Sequence, residues 1–331
     1  MSFESGIDSM RTPSPINSNP PRLPGGRWHW REGWAALPVP ERGVRNQRTH
    51  GVTVLANGCV VVFHQALPSV LIYSPAGELL EKWGAYPGAH GLTRVVRGGR
   101  ELLWLTDEFL GVAELTDLSG HVLQRLEKPD HPVFRERTFC PTWVAEDSEN
   151  GRPIRLWLAD GYGSHLVHAY DGKGRYEFSL SGEEGAGRFD CPHSLAIDPR
   201  PGRQGALLVA DRGNRRVQEF DRNGGFLGVW GADFLDSPNG FDFRDGQCVL
   251  SELHGRVTVV DAENKLLEFI GDQPNARHLP QWPNVDRSQV LPGLFNSPHG
   301  AAWGPDGEIY VVEWIKHGRV TRLDPVPVLV A

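Results

Sequence analysis

The sequence predicts an all-β fold built from six repeats of four short strands. Short apolar or alternating runs follow one another along the chain, and 39 Gly and 26 Pro are spread among its 331 residues, as many tight turns require. The stretch CPHSLAIDPRPGRQGALLVADRGNRRVQEFD, residues 191–221, forms one three-stranded unit with counterparts elsewhere in the chain. Such a meander cannot bury its own faces, so it needs neighbouring copies.

The repeats recur at intervals of about 40 to 60 residues. In the first repeat, the hairpin signal Asn57-Gly58 leads into strands predicted at 59–63, 70–73 and 79–83. Four strands at this period are typical of a blade of a β-propeller. We therefore predict a six-bladed β-propeller whose inner strands begin at His50, His90, Thr142, His193, Asn239 and His299.

Closure of the ring is predicted from the two ends of the chain. The sixth repeat stops after three strands, whereas the segment GRWHWREGWAALP at 26–38 supplies a spare one. Pairing the two would remove an open sheet edge. Residues 26–331 are therefore assigned to a single propeller domain and 1–25 to a disordered lead-in. The inserts at 128–139 and 271–294 are expected as loops over one face.

Composition narrows the partners that we expect. The net charge is −7 without a run of Lys or Arg, which argues against nucleic acid or an anionic membrane and leaves a small-molecule substrate. No apolar stretch approaches the roughly 18 residues of a membrane span. The first twenty residues lack the features of a secretory signal, so a cytoplasmic location is expected.

The four cysteines show no CxxC spacing and are expected as free thiols. The oligomeric state is left open.

The starts of the inner strands define a ring around the propeller axis. Four of these six positions are His, although the chain has only 13 His in 331 residues. His90, His193 and His299 come from alternate blades, and three imidazoles with an open fourth position are typical of a catalytic zinc site. We predict Zn²⁺ or another divalent transition metal there. His50 and Asn239 are expected to line the channel beside the ligands or the substrate.

A second set of residues follows the second strand of each blade. Acidic residues recur at these strand ends, where they usually bind backbone N–H groups of the following turn: Asp107, Asp160, Asp211, Glu252 and Glu313. Tyr162 follows Asp160, and Arg212 follows Asp211 in the next blade. A tyrosine beside a metal and an arginine can act as a base, because positive charge lowers its pKa from about 10. We predict that Tyr162 and Arg212 are catalytic.

The chain resembles the NHL-repeat propellers through VADRGNRRVQEFD and, more narrowly, the peptidyl-α-hydroxyglycine α-amidating lyases over nearly its whole length. The zinc histidines of that family lie in PHG or PHS motifs, which match AHG at His90, PHS at His193 and PHG at His299. Its catalytic Tyr lies in a DGY motif and a functional Arg in an ADR motif, matching Tyr162 and Arg212. The resemblance therefore implies the same metal and catalytic residues.

Three positions depart from the family pattern. Gln65 stands where relatives usually carry an Arg, so a cation is missing, and Gln65 itself is expected beside the substrate or the ligands. Gly300 replaces an Asp that helps to bind a structural calcium in the secreted enzymes, which counts against Ca²⁺ here. Cys140 matches half of a family disulfide, but Gly163 occupies its partner's place. That agrees with an intracellular protein.

The resemblance implies a zinc-dependent carbon–nitrogen lyase acting on an α-hydroxy-amide or a similar small hemiaminal. Zinc would lower the pKa of the substrate hydroxyl, Tyr162 would take or relay its proton, and an aldehyde and an amide would result. Arg212 would hold a substrate carboxylate or keep Tyr162 ionised. Two alternatives stay open: a lactonase-like metal-dependent hydrolase, which would favour calcium, and a non-catalytic NHL-repeat scaffold whose ring histidines only bond backbone groups.

Overall fold

The computed structural model describes residues 26–38 and 47–326, and these form six four-stranded antiparallel sheets. The predicted six-bladed β-propeller is confirmed. In the described residues there is no α-helix, and short 3₁₀ helices lie in the two predicted inserts at Pro132–Arg135, Ala276–His278 and Arg287–Gln289. The predicted lead-in, residues 1–25, lies outside the described residues, and the domain bounds remain a proposal.

The strands follow one another from the axis outwards in each of the first five blades. Blade 1 contains β2 (Thr49–Val54), β3 (Val60–His64), β4 (Val70–Tyr73) and β5 (Leu79–Trp83). Blade 2 contains β6 (Ala89–Arg97), β7 (Arg100–Asp107), β8 (Val112–Thr116) and β9 (Val122–Arg125). Blade 3 contains β10 (Trp143–Glu149), β11 (Arg152–Asp160), β12 (Leu166–Asp171) and β13 (Tyr176–Leu180).

The second half of the ring repeats this order. Blade 4 contains β14 (Pro192–Ile197), β15 (Leu207–Asp211), β16 (Arg216–Phe220) and β17 (Phe226–Trp230). Blade 5 contains β18 (Pro238–Arg244), β19 (Gln247–Glu252), β20 (Arg256–Val260) and β21 (Leu266–Ile270). Blade 6 contains β22 (Pro298–Trp303), β23 (Ile309–Glu313) and β24 (Arg319–Pro325), and its outer strand is β1 (Trp28–Arg31).

The ring closes through β1, which pairs antiparallel with β24 in the last blade, as predicted. The alternation of β1 directs Trp28 and Trp30 into the core. The Trp30 ring packs 4.6 Å from the ring of Phe295, between centroids. Burial of large aromatic side chains therefore stabilises the closure and removes the sheet edge.

The core lies between blades rather than within them, in six apolar clusters. In β3, Val61 and Phe63 pack toward blade 2, whereas Val60 and Val62 pack toward blade 6. This strand is buried on both faces, which is why its sequence is a continuous apolar run instead of an alternating one. Each fully buried side chain of this size contributes about 1.5–3 kcal/mol. The inner strands are therefore held in fixed positions around the axis.

The acidic residues that end the second strands are buried and accept hydrogen bonds from backbone N–H groups of neighbouring loops. Asp107 accepts hydrogen bonds from the backbone N–H groups of Gly88, Phe109 and Leu110. Asp160 accepts from Cys140 and Ser164, whereas Glu313 accepts from Asn296 and Ser297, which directly precede the inner strand β22. The predicted binding of the following turn is confirmed for Asp107 and Asp160. It fixes the turns that carry the next residues toward the axis.

Two other expectations concern the surroundings of the protein. None of the helices in the described part of the chain has the length and hydropathy needed to cross a membrane. The four cysteines are free. The cytoplasmic location and the classes of partner remain predictions.

Candidate active site

The inner strands bring four histidines together on the propeller axis, and all four are buried. The rings of His90, His193 and His299 lie 4.7–4.9 Å from one another, between centroids. The ring of His50 lies 5.2 Å from that of His90 and 4.4 Å from that of His299. The register of strand pairing shifts at each of these positions. Such irregularities re-aim a side chain, here toward the axis.

The three alternate histidines share one hydrogen-bonding pattern. Each Nδ1 donates to the backbone carbonyl of the ring residue in the next blade: His90 to Thr142 at 2.8 Å, His193 to Asn239 at 2.9 Å and His299 to His50 at 3.0 Å. This bond places the proton on Nδ1 and directs the Nε2 lone pair toward the axis. The Nδ1 of His50 has no hydrogen-bond partner among the described residues.

Two of the ring histidines, His90 and His299, are followed by a glycine, and the packing of the next blade explains why. A Cβ on Gly91 would lie against the backbone oxygen of Thr142, closer than real Cβ atoms approach, and a Cβ on Gly300 would lie 2.9 Å from the backbone oxygen of His50. These oxygens are the acceptors of the two histidine Nδ1 bonds. Glycine therefore lets the neighbouring blade come close enough to orient the imidazole.

Two overlapping sets of histidines can hold a metal. The ligand atoms of His50, His90 and His299 lie within 4.8 Å of one another, whereas the set predicted from sequence contains His193 instead of His50. Both sets share His90 and His299. The Nδ1 bonds favour the alternate set, because all three of its members have the orientation that metal-bound histidines usually have. The predicted ligand set remains a prediction.

The charge state of the ring also suits a metal. Burial lowers the pKa of His90 to about 3. Burial also lowers the pKa values of His50, His193 and His299 well below the usual range, and neighbouring imidazoles add to the effect. The imidazoles are therefore neutral at pH 7, which is the form that binds metals. Three neutral imidazole nitrogens are a donor set that suits Zn²⁺.

The two predicted catalytic residues meet at the ring. The Tyr162 hydroxyl lies 3.2 Å from His90 Nε2 and 3.1 Å from His193 Nε2. Arg212 Nη1 donates to the same hydroxyl at 3.3 Å. Tyr162 is 39% exposed and its hydroxyl contacts the imidazoles, so its side chain lies at the solvent-facing opening above the ring. We call this opening, where Tyr162 and Arg212 lie, the mouth. Burial of the hydroxyl raises the pKa of Tyr162, and Arg212 only partly opposes this. Arg212 alone therefore does not keep Tyr162 ionised.

Arg212 is held by three protein groups. Besides Tyr162, it donates from Nη1 to Asn239 Oδ1 and from Nη2 to Cys191 Sγ, both at 3.1 Å. Asn239 in turn donates to the backbone oxygen of His299 at 3.2 Å. Asn239, predicted to lie beside the ligands, thus links the guanidinium to the ring. This arrangement fixes Arg212 as a support for the tyrosine hydroxyl.

A carboxyl group that sequence reasoning missed lies on the other side of the mouth. Glu108 accepts a hydrogen bond at Oε1 from Gln65 Nε2 at 3.2 Å. Burial raises the pKa of Glu108 to about 7, Asp107 adds to the rise, and the Gln65 bond, Arg212 and Arg48 oppose it. Gln65 therefore contacts a carboxyl group, and its predicted place beside the substrate or the ligands remains a prediction.

Comparison with known proteins places the chain among propellers. No family model matches it. NHL repeat-containing protein 3 of Homo sapiens is 27% identical over 229 residues, 62% of this chain and 62% of that protein. Peptidyl-glycine alpha-amidating monooxygenase A of Xenopus laevis is 30% identical over 232 residues, 67% of this chain. The match spans only 23% of the monooxygenase.

Solved structures give the same fold at lower identity. A streptogramin B lyase covers 91% of this chain and 98% of its own, with a TM-score of 0.60 and 13% identity. Virginiamycin B lyase from Staphylococcus aureus covers 92% of this chain and 90% of its own, with a TM-score of 0.54 and 14% identity. The chain is an NHL-type six-bladed β-propeller.

Glu108 could have been identified from the sequence by comparing equivalent positions in the blades of the propeller. It directly follows Asp107 at the end of β7, as Arg212 directly follows Asp211 at the end of β15. Residues in equivalent places of a propeller face the same axis. The sequence showed this register, but a single Glu after an acidic strand end carries no motif of its own.

Proposed function

We propose that this propeller is a metal-dependent carbon–nitrogen lyase that cleaves an α-hydroxy-amide, or a similar small hemiaminal, to an aldehyde and an amide. The observation that carries the proposal is the position of the Tyr162 hydroxyl, within 3.3 Å of two ring imidazoles and of Arg212. The similarity to amidating monooxygenases supports the same class of reaction.

His90, His193 and His299 would hold the metal through Nε2, and the chemistry of the donors favours Zn²⁺. A divalent ion bound there supplies a Lewis acid that lowers the pKa of a substrate hydroxyl. The Nδ1 bonds to backbone carbonyls keep the three imidazoles in place during the reaction. This ligand set, like the identity of the metal, is part of the proposal.

The proton balance of the reaction explains why one relay group suffices. The substrate hydroxyl loses a proton as the C=O bond forms, the C–N bond breaks, and its electron pair stays on the amide nitrogen. That nitrogen gains a proton, so no proton is taken up or released overall. As a neutral phenol, Tyr162 would accept the substrate's hydroxyl proton at Oη while it passes its own proton to the leaving nitrogen, so the tyrosine hydroxyl is regenerated. Arg212 fixes the position of the hydroxyl through the transfer.

A non-catalytic binding scaffold is the second candidate function. It is favoured by the match to NHL repeat-containing protein 3, whose name states no reaction. Such a scaffold would not need a tightly bound metal, so metal content separates the two functions. A calcium ion in place of a transition metal would instead favour a hydrolase of the lactonase type.

The test combines metal analysis with turnover in protein purified without added metal. We expect about one zinc per chain in the wild type and in His50→Ala, and loss of zinc and activity in His193→Ala. Turnover is followed as benzamide release from N-(hydroxymethyl)benzamide and from N-benzoyl-α-hydroxyglycine. Stoichiometric zinc in His193→Ala would contradict the ligand set. A zinc-loaded wild type that releases no benzamide from either compound would contradict the lyase.

A further inference from the structure

The two arginines at the mouth of the site are engaged by the protein to different extents. The terminal nitrogens of Arg212 bind Tyr162, Asn239 and Cys191. The Arg48 guanidinium stacks 4.0 Å above the Trp314 ring and donates from Nη2 to Asn284 at 3.1 Å. Recognition of a carboxylate by arginine usually uses two parallel N–H donors of one guanidinium. Both terminal nitrogens of Arg212 are engaged within the protein, whereas Arg48 is held by the stack and one bond, and its Nε has no hydrogen-bond partner among the described residues.

Glu108 is held in position through its backbone, but only one of its two carboxyl oxygens accepts a hydrogen bond from a described residue. Its backbone N–H donates to the oxygen of Gly88 at 3.0 Å, and its backbone oxygen accepts from Cys140 Sγ at 3.4 Å. Gln65 engages one carboxyl oxygen, Oε1. The Gln65 bond is the side-chain hydrogen bond that Glu108 accepts from the described residues, which leaves Oε2 for another donor. A carboxyl group held in this way is an acceptor prepared for a donor on a ligand.

We propose that Glu108 and Gln65 determine substrate specificity by selecting a molecule that presents an amine or hydroxyl donor to Glu108 and carries no carboxylate there. This inference rests on the proposed function, because it names the substrate class of the same site. An ammonium group would form a charge-assisted hydrogen bond with the carboxylate. A substrate carboxylate beside Glu108 would meet like charge, and Arg212, whose terminal nitrogens are both engaged, would not offset it with a two-donor bond.

The charged neighbours of Glu108 make the selection depend on pH. Asp107 on its own element favours the protonated form, whereas Arg48 and Arg212 from other blades favour the carboxylate. Tyr162 and Cys140, which also face it, have raised pKa values and stay uncharged near pH 7. The pKa of Glu108 is about 7, so an ammonium ligand should bind more tightly as the pH rises from 6 to 8.

The test uses three benzamides that differ in one group, with zinc-loaded protein and calorimetry at pH 6 and pH 8. The probes are N-(2-aminoethyl)benzamide, N-(2-hydroxyethyl)benzamide and N-benzoylglycine. At pH 8 we expect the amine to bind at least about tenfold more tightly than the carboxylate, with the hydroxyl compound between them. Glu108→Gln should remove the preference for the amine and its pH dependence, since the amide keeps the shape but not the charge.

Two further variants complete the test. Glu263→Gln, an exposed substitution on the turn between β20 and β21, should leave all three affinities unchanged. Gln65→Arg should improve binding of N-benzoylglycine relative to the amine. Equal or tighter binding of the carboxylate by the wild type, or no binding of any probe, would overturn the inference. Because binding is measured without turnover, failure of the lyase and failure of this selectivity remain distinguishable.

Discussion

The inner ring and the mouth above it are built by the same blades but follow different rules. In the ring, alternate blades carry histidines with one shared geometry, while the intervening residues His50, Thr142 and Asn239 supply backbone oxygens to them. A backbone oxygen does not depend on the side chain, which explains why these three positions carry three different residues. The ring therefore requires a particular side chain, histidine, only in every second blade.

The mouth shows no such alternation. The residues that follow the second strands have unrelated chemistry and are, in blade order, Gln65, Glu108, Gly161, Arg212, Leu253 and Trp314. Their backbones nevertheless occupy equivalent places, because each residue directly follows the second strand of its blade. Under the proposed function, the ring would bind the metal, and the mouth would determine the reaction and its substrate. Changes in the two regions should therefore have separable effects.

The largest effect is expected from Tyr162→Phe in the mouth. The variant keeps the ring stack against His90 but removes the hydroxyl that would move the proton. We expect kcat to fall by about 10² to 10⁴-fold, with zinc content unchanged. Turnover of N-(hydroxymethyl)benzamide and metal analysis on the same preparation provide the measurement. Loss of zinc from this variant would show that the tyrosine belongs to the ring instead.

The sequence predicts the ring better than the mouth, and the reason is physical. Repeat period, strand alternation and the glycines at Gly91 and Gly300 are local properties, and they place the histidines on the axis. The contact between Gln65 and Glu108 joins residues 43 apart in sequence, in two blades. It depends on side-chain directions that no local pattern specifies. The closeness of His50 to His90 and His299, which gives a second possible ligand set, likewise depends on rotamers.

A smaller effect is expected from Gly91→Ala in the ring. The added Cβ would press on the backbone oxygen of Thr142, the acceptor that orients His90. Partners that orient a metal ligand are worth about 10 to 100-fold in metal affinity, so zinc affinity should weaken within that range. The matched control is Ser194→Ala, at the equivalent place of blade 4, where a side chain already fits. Competition with a zinc chelator measures both variants, and equal affinities would contradict the role of the glycine.

The smallest effect, and the one that best separates two roles, is expected from Arg212→Lys. A lysine keeps the positive charge but cannot bind Tyr162, Asn239 and Cys191 together, because it lacks the planar fork of arginine. If Arg212 orients the tyrosine, kcat should fall by about tenfold with little change in KM. If it instead binds a substrate carboxylate, KM should rise for N-benzoyl-α-hydroxyglycine and not for N-(hydroxymethyl)benzamide. Arg215→Lys, an exposed neighbour on the same turn, should change neither constant. Since both terminal nitrogens of Arg212 are engaged inside the protein, we expect the first result with both substrates.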